Sequence, residues 1–250
     1  MTDAGDDPPR RLDIELVRRG LAASRAQARA AIEAGNVKVA GLLASKPGQL
    51  VGVGAAIDWA PPHPWVSRGG VKLAHALDAF GVDPSGRVCL DIGASTGGFT
   101  QVLLARGAAK VVAVDVGRGQ LHPKLAADPR VVSLEGTDGR DLTPALIGEA
   151  PSLVTCDVSF IGLAKLLARP LVLATDTAEL TALFKPQFEV GPAHVGKGGI
   201  VSDQAAADRS ASALEAWLGE AGWQVLRWTP SPILGGDGNR ERLVHARRRR

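Results

Sequence analysis

The stretch LDIGASTGGFT, Leu90 to Thr100, is a short apolar run that ends in an acid and breaks into glycines. An apolar run of this length bounded by glycines is typical of a buried strand. Similar runs alternate with helical segments from Val71 onward. Continuous apolar strands separated by helices predict a mostly parallel sheet covered on both faces. The fold class is therefore α/β, an open and doubly wound domain.

The loop after the first strand is a usual ligand contact in such sheets, because ligands bind beyond the carboxyl ends of the strands. Its spacing, Gly93-x-x-x-Gly97-Gly98, matches neither a P-loop nor a dinucleotide fingerprint, so phosphate is a poor fit. Asp91 would repel a pyrophosphate but could help to position an ammonium group. Asp115 ends the second strand, where an acid can accept from both ribose hydroxyls. We expect the loop to bind S-adenosylmethionine as the cofactor. The alternatives are a loop that binds a generic nucleotide and a turn with a purely structural role.

The predicted cofactor site consists of the glycine loop and the acids at strand ends. Its predicted members are Asp91, Gly93, Ala94, Ser95, Gly97, Gly98, Phe99, Thr100, Asp115, Val116, Asp138 and Asp157. Asp138 follows the third strand, where it is placed to accept from an adenine amino group. The alternative for Asp138 is a solvated or helix-capping side chain.

The composition favours a globular protein without a membrane segment. With 250 residues and 45% apolar side chains the chain can bury a large core. It has no run of about 18 uncharged apolar residues and no apolar leader, so we expect a cytoplasmic protein that does not bind membranes. Cys89 and Cys156 lie in apolar runs and the five histidines are scattered, which predicts no disulfide and no metal site. A monomer is the default expectation.

Charge and turn signals divide the chain. Residues 10–60 carry eight basic and four acidic side chains, and the last eleven residues also have a basic surplus. Basic regions of this kind are typical of a protein that binds a polyanion. Two short helices that end at glycines and a β-hairpin around the turn SKPGQ are predicted in the first block. The predicted domains are a disordered terminus (1–9), an α+β domain (10–59), a proline-rich linker (60–70) and the α/β domain (71–250).

The first block resembles a known RNA-binding domain. RLDIELVRRGLAASRAQARAAIEAGNVKVAG is similar to the S4-type domain of a ribosomal protein and of many RNA-modifying enzymes. It departs from that pattern at Ala40, before Gly41, where an asparagine is usual in the turn. Its cations would contact RNA, although an ordinary solvated helix face is the alternative on charge alone. The predicted RNA-binding residues are Arg10, Arg11, Arg18, Arg25, Arg29, Lys38, Lys46 and, in the linker, Arg68.

Methyl transfer from a sulfonium is an in-line displacement, so an enzyme mainly aligns two groups and activates the acceptor. A ribose 2′-hydroxyl is a weak nucleophile. A lysine can deprotonate it if a second lysine lies near, while carboxylates orient the groups. Two lysines and two acids meet that need: Lys72, Asp157, Lys185 and Glu241. Taken singly, each could form an ordinary surface salt bridge.

Seven motifs occur in order along the chain: SRGGVKL, LDIGASTGGFT, VDVGRGQL, CDVSFI, FKPQFE, GKGGIV and SPILGGDGNRE. Together they resemble the TlyA-type (hemolysin A) ribosomal RNA methyltransferases, which unite an S4-type domain with an FtsJ-like 2′-O-methyltransferase domain of the Rossmann-like class I fold. The resemblance covers about residues 10–245. It implies a catalytic tetrad at Lys72, Asp157, Lys185 and Glu241, with Lys185 as the base. It also implies a cytidine of ribosomal RNA as target and ribosomal subunits as partners.

Three positions depart from the family pattern. Gly136 and Asp138 stand where the family tends to have arginine and asparagine, and Arg242 stands where an aromatic residue is usual. The first two bear on the adenine contact, and the third bears on packing of the substrate strand. Trp65 in the linker could stack on a base, but a tryptophan there more often packs the domain junction.

Two other functions are compatible with parts of the sequence. A noncatalytic RNA-binding or ribosome-assembly factor could keep the fold, but it would not need the lysine pair at the strand ends. A pore-forming hemolysin is suggested by the family's older name alone, and the sequence has neither a leader nor a membrane span. The sequence therefore favours a methyltransferase that acts on ribosomal RNA.

Overall fold

The chain folds as two compact units. The computed structural model describes residues 8–22 and 24–249. The two units are Met1–Pro64 and Trp65–Arg250. Residues 1–7 of the predicted disordered terminus lie outside the described residues, and the predicted domain bounds stay predictions.

The first unit contains two helices and five short strands. They are β1 (Arg10–Arg11), α1 (Leu12–Arg18), α2 (Arg25–Glu33), β2 (Val37–Val39), β3 (Leu42–Leu43), β4 (Leu50–Val51) and β5 (Ile57–Trp59). The side chain of Ser24 accepts a hydrogen bond from the backbone N–H of Gln27 and so caps α2. Leu12 and Leu16 lie one turn apart on α1 and share a buried core with Ile32 of α2.

The strands of the first unit pair differently from the predicted hairpin. β2 pairs antiparallel with both β3 and β5, whereas β4 pairs with β1. The turn SKPGQ therefore connects two different sheets, and the hairpin turn is the link between β2 and β3. In that link Ala40 has φ 51° and Gly41 has φ 79°, the positive values of a type I′ turn. The predicted antiparallel pairing across SKPGQ is found between β2 and β5. The two strands do not form a simple hairpin, because the chain forms β3 and β4 between them.

The second unit alternates strands and helices. Its elements are α3 (Arg68–Phe80), β6 (Val88–Ile92), α4 (Gly98–Ala105), β7 (Lys110–Asp115), α5 (Pro123–Ala126), β8 (Val131–Glu135), α6 (Pro144–Ile147), β9 (Leu153–Cys156), α7 (Leu163–Val172), β10 (Glu179–Phe184), α8 (Gln204–Glu220), β11 (Trp223–Pro230) and β12 (Arg242–Arg248). The four-residue helices α5 and α6 each begin with a proline after a capping side chain. Apolar periodicity does not reveal helices this short.

A seven-stranded sheet with the order β11-β12-β10-β9-β6-β7-β8 forms the centre of this unit. The strands from β10 to β8 run parallel. At one edge β12 pairs antiparallel with β10, and β11 pairs antiparallel with β12. Cys89 belongs to the core on one face, and its neighbour Leu90 belongs to the core on the other. The mostly parallel, doubly wound α/β fold is therefore confirmed.

The helix that follows the predicted linker begins inside it. α3 starts at Arg68, so the predicted linker 60–70 overlaps its first turn. The indole of Trp65 packs on that turn, since a Cβ built at Gly70 would lie 2.4 Å from Trp65 Cγ. Trp65 therefore packs within the second unit.

Two absences hold for residues 8–22 and 24–249. None of their helices has both the length and the apolar composition that crossing a bilayer requires. No group of three or more histidine, cysteine or acidic side chains among them is arranged to hold a metal ion. Both cysteines are free and buried.

Replacing Ala40 by asparagine should stabilise the first unit. A side chain in the left-handed region costs roughly 1 kcal/mol, and asparagine tolerates that region better than alanine does. We expect Ala40→Asn to raise the free energy of unfolding by about 0.5–1 kcal/mol, measured as slower hydrogen exchange of α2 amides in the intact chain. The control is Ala34→Asn, at a position with φ −79°. An equal gain there would show that the turn is not the cause.

Candidate active site

Three parallel strands end at the same level beneath the glycine loop. Ile92 of β6 is in register with Val114 of β7 and with Cys156 of β9. Carboxyl ends of parallel strands open at one edge of the sheet. The loop after β6 therefore lies beside Asp115 and Asp157, each of which stands at the end of its strand.

At two positions of the glycine loop after β6, neighbouring atoms lie too close for a side chain to fit. A Cβ built at Gly93, where φ is 80°, would lie 2.3 Å from the carbonyl oxygen of Asp157. A Cβ built at Gly98 would lie 2.2 Å from Ser67 Oγ. Real Cβ atoms do not reach such distances, so glycine is required at both positions. These contacts join the loop to the end of β9 and to the start of α3.

Asp91 supports the loop from within the sheet. The carboxylate is fully buried and accepts hydrogen bonds from Thr100 Oγ1 at 2.7 Å and from Thr155 Oγ1 at 3.0 Å. Burial raises the pKa of Asp91 to about 7, although the two threonine hydroxyls oppose the rise. Asp91 therefore ties the first turn of α4 to β9.

Two further acids shape the neighbouring turns. Asp115 accepts from the backbone N–H of Ser95 at 2.8 Å and of Gly117 at 2.7 Å, and each carboxylate oxygen keeps a further lone pair. Glu135, at the end of β8, accepts from three consecutive backbone N–H groups, those of residues 119–121. These hydrogen bonds, that of Leu121 first, lower the pKa of Glu135. Sequence reasoning does not identify Glu135, although an acid that ends a strand is a usable signal.

Two cavities meet at this edge of the sheet. The larger has a volume of about 720 Å³ and the smaller of about 210 Å³. Both are lined by Gly93, Ser95, Asp157 and Ser159, so they form one elongated pocket. The larger part has apolar walls that include Val116, and its volume is in the range that holds a drug-sized ligand.

Most of the predicted cofactor residues line this pocket. The larger cavity includes Gly93, Ser95, Asp115, Val116, Asp138 and Asp157. The smaller cavity adds Ala94, Gly98 and Phe99. Asp91, Gly97 and Thr100 line neither cavity. These three contribute to the position of the loop, and a direct contact between them and a cofactor stays a prediction.

Lys185 and Asp157 form an ion pair in the wall of the smaller cavity. Lys185 Nζ lies 2.7 Å from Asp157 Oδ1 and donates to Ser159 Oγ at 3.1 Å. The lysine–aspartate contact is close but not aligned as a hydrogen bond, so Asp157 Oδ1 keeps hydrogen-bonding capacity. Both side chains border the cavity and remain partly accessible. The amine can therefore reach a group that enters the pocket.

Lys72 and Glu241 form a second ion pair, which is buried. The Lys72 ammonium donates to Glu241 Oε2, and both side chains are almost fully enclosed. Phe184 pairs with Arg242 at the end of the β10–β12 register, so Glu241 and Lys185 leave the sheet side by side. The second pair therefore stands next to the first.

The helix α3 brings Lys72 toward Asp157. A Cβ built at Gly69 would lie 3.4 Å from Asp157 Oδ2. Lys72 is three residues further along, on the same face of the helix. At the start of α3, Arg68 donates to the carbonyl oxygen of Leu234, although the sequence predicts it to bind RNA. The structure thus brings all four predicted catalytic residues to one edge of the sheet.

The profile of the FtsJ-like methyltransferase family matches residues 65–248, which is most of the chain. The chain belongs to the FtsJ-like methyltransferase family. A second profile, that of the S4 domain, matches residues 10–57. The two matches confirm the resemblance drawn from the motifs, and the units are called the FtsJ-like domain and the S4 domain from here on.

Several relatives match this chain over a span that includes both domains. TlyA of Mycobacterium tuberculosis, a 16S/23S rRNA (cytidine-2′-O)-methyltransferase, is 49% identical over 95% of this chain and 89% of its own. Hemolysin A of Brachyspira hyodysenteriae is 37% identical over 94% of this chain and 98% of its own. A solved structure from Streptococcus thermophilus, of a protein described as a hemolysin, is 37% identical with a TM-score of 0.77 and covers 97% of this chain and 89% of its own.

Asp138 has a structural role in the FtsJ-like domain. It caps the short 3-10 helix Gly139–Asp141 by accepting from the backbone N–H of Arg140 at 2.9 Å. It also pairs with the Arg140 guanidinium at 2.6 Å, and this pairing lowers the pKa of Asp138. The capping alternative is therefore observed, while the adenine contact stays a prediction.

The other two departures from the family pattern are packed by the domain's own side chains. Arg118 fills the space beside Gly136, where a Cβ would lie 2.3 Å from Arg118 Cζ. The guanidinium of Arg242 lies over the rings of Phe184 and Trp228, at 5.4 and 5.8 Å from their centroids.

Two further residues of the FtsJ-like domain escape sequence reasoning. Phe160 is 90% exposed, has φ 68°, lines the larger cavity and lies 5.1 Å from the ring of Phe188. Glu189 accepts from the backbone N–H of Leu163 at 2.8 Å, and burial raises its pKa to about 7 against that hydrogen bond. An exposed aromatic residue held in a costly backbone region is a mark of a functional site. This signal exists only in the tertiary structure.

Two buried acids organise the arginines of the S4 domain. The ion pairs, at 2.7 to 3.0 Å, join Asp13 to Arg11 and Arg25, and Glu15 to Arg18 and Arg19. The hydrogen bond from Arg11 holds the pKa of Asp13 at about 2, and that from Arg18 does the same for Glu15. Sequence reasoning does not identify these two acids, because their burial depends on the packing of α1.

The remaining cations of the S4 domain are available to a partner. Arg29, Lys38 and Lys46 are exposed and form no hydrogen bond or ion pair with the part of the chain that the structure describes. The guanidinium groups of Arg11 and Arg25 are still about half exposed although they pair with acid. The other predicted RNA-binding residues are Arg10 in β1 and Arg18 at the end of α1.

The buried acid Asp91 should make the FtsJ-like domain more stable as the pH falls. Its folded-state pKa of about 7 lies above its ordinary value of 3.8, so the folded state binds a proton that the unfolded state lacks between these values. We expect the Tm of the domain to rise when the pH is lowered from about 8 to about 5, with Glu189 acting in the same direction.

Asp91→Asn tests this dependence, since asparagine can accept from one threonine and donate to the other. Calorimetry of the variant should show a flatter rise of Tm over the same pH range. The control is Asp176→Asn, which removes a carboxylate that is 94% exposed and should keep the wild-type slope. An Asp91→Asn variant with the wild-type slope would show that Asp91 is already ionised when folded.

Proposed function

We propose that this protein transfers a methyl group from S-adenosylmethionine to the 2′-hydroxyl of a cytidine in ribosomal RNA. The observation that carries the proposal is the Lys185–Asp157 pair where the two cavities meet. The 49% identity with TlyA, over nearly the whole chain, supports the cytidine ribose of ribosomal RNA as the target. The S4 domain supports RNA as the partner.

The pocket has the groups that such a cofactor needs. The larger cavity would hold the adenosine portion, with Asp115 facing the ribose and Val116 against the adenine ring. The smaller cavity, lined by Gly93, Asp157 and Lys185, would hold the part of the cofactor that carries the methyl group. When bound, S-adenosylmethionine supplies a methyl group on a positively charged sulfur.

Lys185 is the base in the proposed reaction. Its amine would accept the proton of the 2′-hydroxyl and so make that oxygen nucleophilic. Asp157 stabilises the ammonium that results, and Ser159 fixes the direction of the amine. The alignment of the two reacting groups supplies the rest of the rate enhancement.

Lys72 and Glu241 would complete the tetrad from the buried side. Their pairing neutralises two charges that would be costly if left alone in this setting. It also joins α3 to the chain just before β12. We assign to this pair the support of the acceptor side of the pocket, and we assign the exposed ring of Phe160 to contact with an unpaired base.

The partners follow from this substrate. Ribosomal subunits would be met in the cytoplasm, and the S4 domain would dock the RNA through its exposed cations. The protein would act as a monomer. The name hemolysin belongs to some of the relatives, and the described residues contain no helix able to cross a membrane.

Lys185→Ala should abolish methyl transfer while leaving cofactor affinity within about threefold. A positioned base contributes roughly 100-fold or more, and Lys185 acts on the acceptor oxygen. The measurement is incubation with labelled S-adenosylmethionine and separate small or large ribosomal subunits, followed by nuclease digestion and mass mapping. Calorimetry measures cofactor binding.

Lys110→Ala is the matched control for this variant. Lys110 is the first residue of β7, so it lies at the amino-terminal ends of the parallel strands, away from the pocket. Its removal should not alter the rate of methyl transfer. A methyl group mapped to a base rather than to a ribose would contradict the proposed reaction. A Lys185→Ala variant with the wild-type rate would contradict the role of the lysine.

Neutralising the exposed cations of the S4 domain should weaken RNA binding. The triple variant Arg29→Gln, Lys38→Gln, Lys46→Gln should bind ribosomal subunits less tightly. The slope of log affinity against log salt should fall by up to about three, one for each phosphate that is no longer neutralised. The control variant carries Arg29→Lys, Lys38→Arg and Lys46→Arg, which keep a positive charge at all three positions. Equal affinity of both triple variants would exclude a charge contact there.

A further inference from the structure

The buried side chain of Asn239 binds two loops of the FtsJ-like domain together. Asn239 is 1% exposed. Its Nδ2 donates to the carbonyl oxygen of Gly199 at 2.8 Å, and its Oδ1 accepts from the backbone N–H of Val201 at 2.9 Å. Asn239 lies in the loop between β11 and β12, whereas both partners lie in the glycine-rich loop before α8. The side-chain amide of Asn239 therefore binds the glycine-rich loop through both its nitrogen and its oxygen.

The loop of Asn239 is closed around Glu241. The backbone N–H of Ser231 donates to the carbonyl oxygen of Glu241, and that of Gly235 donates to the carbonyl oxygen of Asn239, each at 2.9 Å. A Cβ built at Gly235 would lie 2.7 Å from Glu241 Oε1. Arg68 of α3 also donates to this loop, at the carbonyl oxygen of Leu234. The joined loops are therefore part of the wall beside the buried ion pair of Glu241.

Each of the two loops presents an exposed cation. Lys197 stands in the glycine-rich loop and Arg240 stands between Asn239 and Glu241. Neither forms a hydrogen bond or an ion pair within residues 8–22 and 24–249. The two loops also contain two acids, Asp237, which is exposed, and Asp203, which pairs with His194. Exposed cations beside a reaction centre suit an anionic ligand.

We infer that Lys197 and Arg240 bind the phosphates of the substrate strand on either side of the nucleotide whose ribose is methylated, with Asn239 as the residue that positions them. The inference rests on the proposed function and adds how the strand is held. A ribose whose 2′-hydroxyl faces Lys185 has a phosphodiester on each side, and the loops joined at Asn239 stand next to Glu241, the neighbour of Lys185 at the sheet edge. Contacts of lysine and arginine with phosphate set the register of a strand without reading its sequence.

The test compares Lys197→Gln and Arg240→Gln with Lys124→Gln. Lys124 is an exposed lysine of α5 that forms no side-chain hydrogen bond or ion pair with the described residues, and it lines neither cavity. Each loop variant should raise the KM for ribosomal subunits about fivefold and reduce the salt slope of binding by about one, with kcat within about twofold. Lys124→Gln should leave all three quantities unchanged, and cofactor affinity should be the same in every variant.

Asn239→Ala tests the positioning role. If the two cations act only when the loops are joined, Lys197→Gln should raise the KM by a smaller factor in the Asn239→Ala variant than in the wild-type protein. Asn239→Asp keeps the acceptor for Val201 but turns a carboxylate oxygen toward the carbonyl oxygen of Gly199, so its KM should be at least as high as that of Asn239→Ala. Should Asn239→Ala fail to fold, the surface variants still decide the inference.

Two outcomes overturn the inference. One is an unchanged KM and salt slope in Lys197→Gln, in Arg240→Gln and in their double variant. The other is a lower kcat at constant KM, which would mean that the loops only support Glu241. If the wild type methylates neither subunit, the proposed function fails. Filter binding of the subunits to the same variants still measures affinity and salt slope, and so decides the loop contacts separately.

Discussion

The candidate site depends on the contact between the backbone at Gly93 and the carbonyl group of Asp157, where no side chain fits. Both cavities border these two residues, so the contact lies where the cavities meet. Asp91 maintains it from below through its hydrogen bonds to Thr100 and Thr155. A buried carboxylate is costly, and its cost is reduced here by two hydroxyl donors and by partial protonation. The pocket is therefore a consequence of tight packing under the loop.

The two lysine–acid pairs differ in burial, and this difference suits them to the different roles proposed for them. Lys72 and Glu241 are enclosed, so removal of either partner would leave a buried charge, at a cost of about 3–5 kcal/mol. Lys185 and Asp157 border a cavity and keep hydrogen-bonding capacity. The first pair suits a structural connection between α3 and the end of the sheet. The second suits proton transfer, which needs a group that a substrate can reach.

Positive charge has two uses in this protein. In the S4 domain, buried Asp13 and Glu15 hold four arginines in fixed directions while leaving much of their surface exposed. In the FtsJ-like domain, Arg242 is engaged with aromatic rings, whereas Lys197 and Arg240 have no partner among the described residues. A count of basic residues along the sequence cannot separate these cases, because the acids that engage the arginines are identified only by burial.

The sequence by itself determined the strands and the longer helices of the FtsJ-like domain and the place of the glycine loop, since apolar periodicity and motif order are local properties of a chain. It also predicted the four candidate residues of the tetrad. Only the tertiary structure decided that β2 pairs with β3, that Asp91 lies beneath the pocket, that Asp138 caps a helix and that Asn239 joins two loops. Each of these depends on contacts between residues distant in sequence or on the direction of one side chain. Such contacts arise when the chain packs, and no local pattern encodes them.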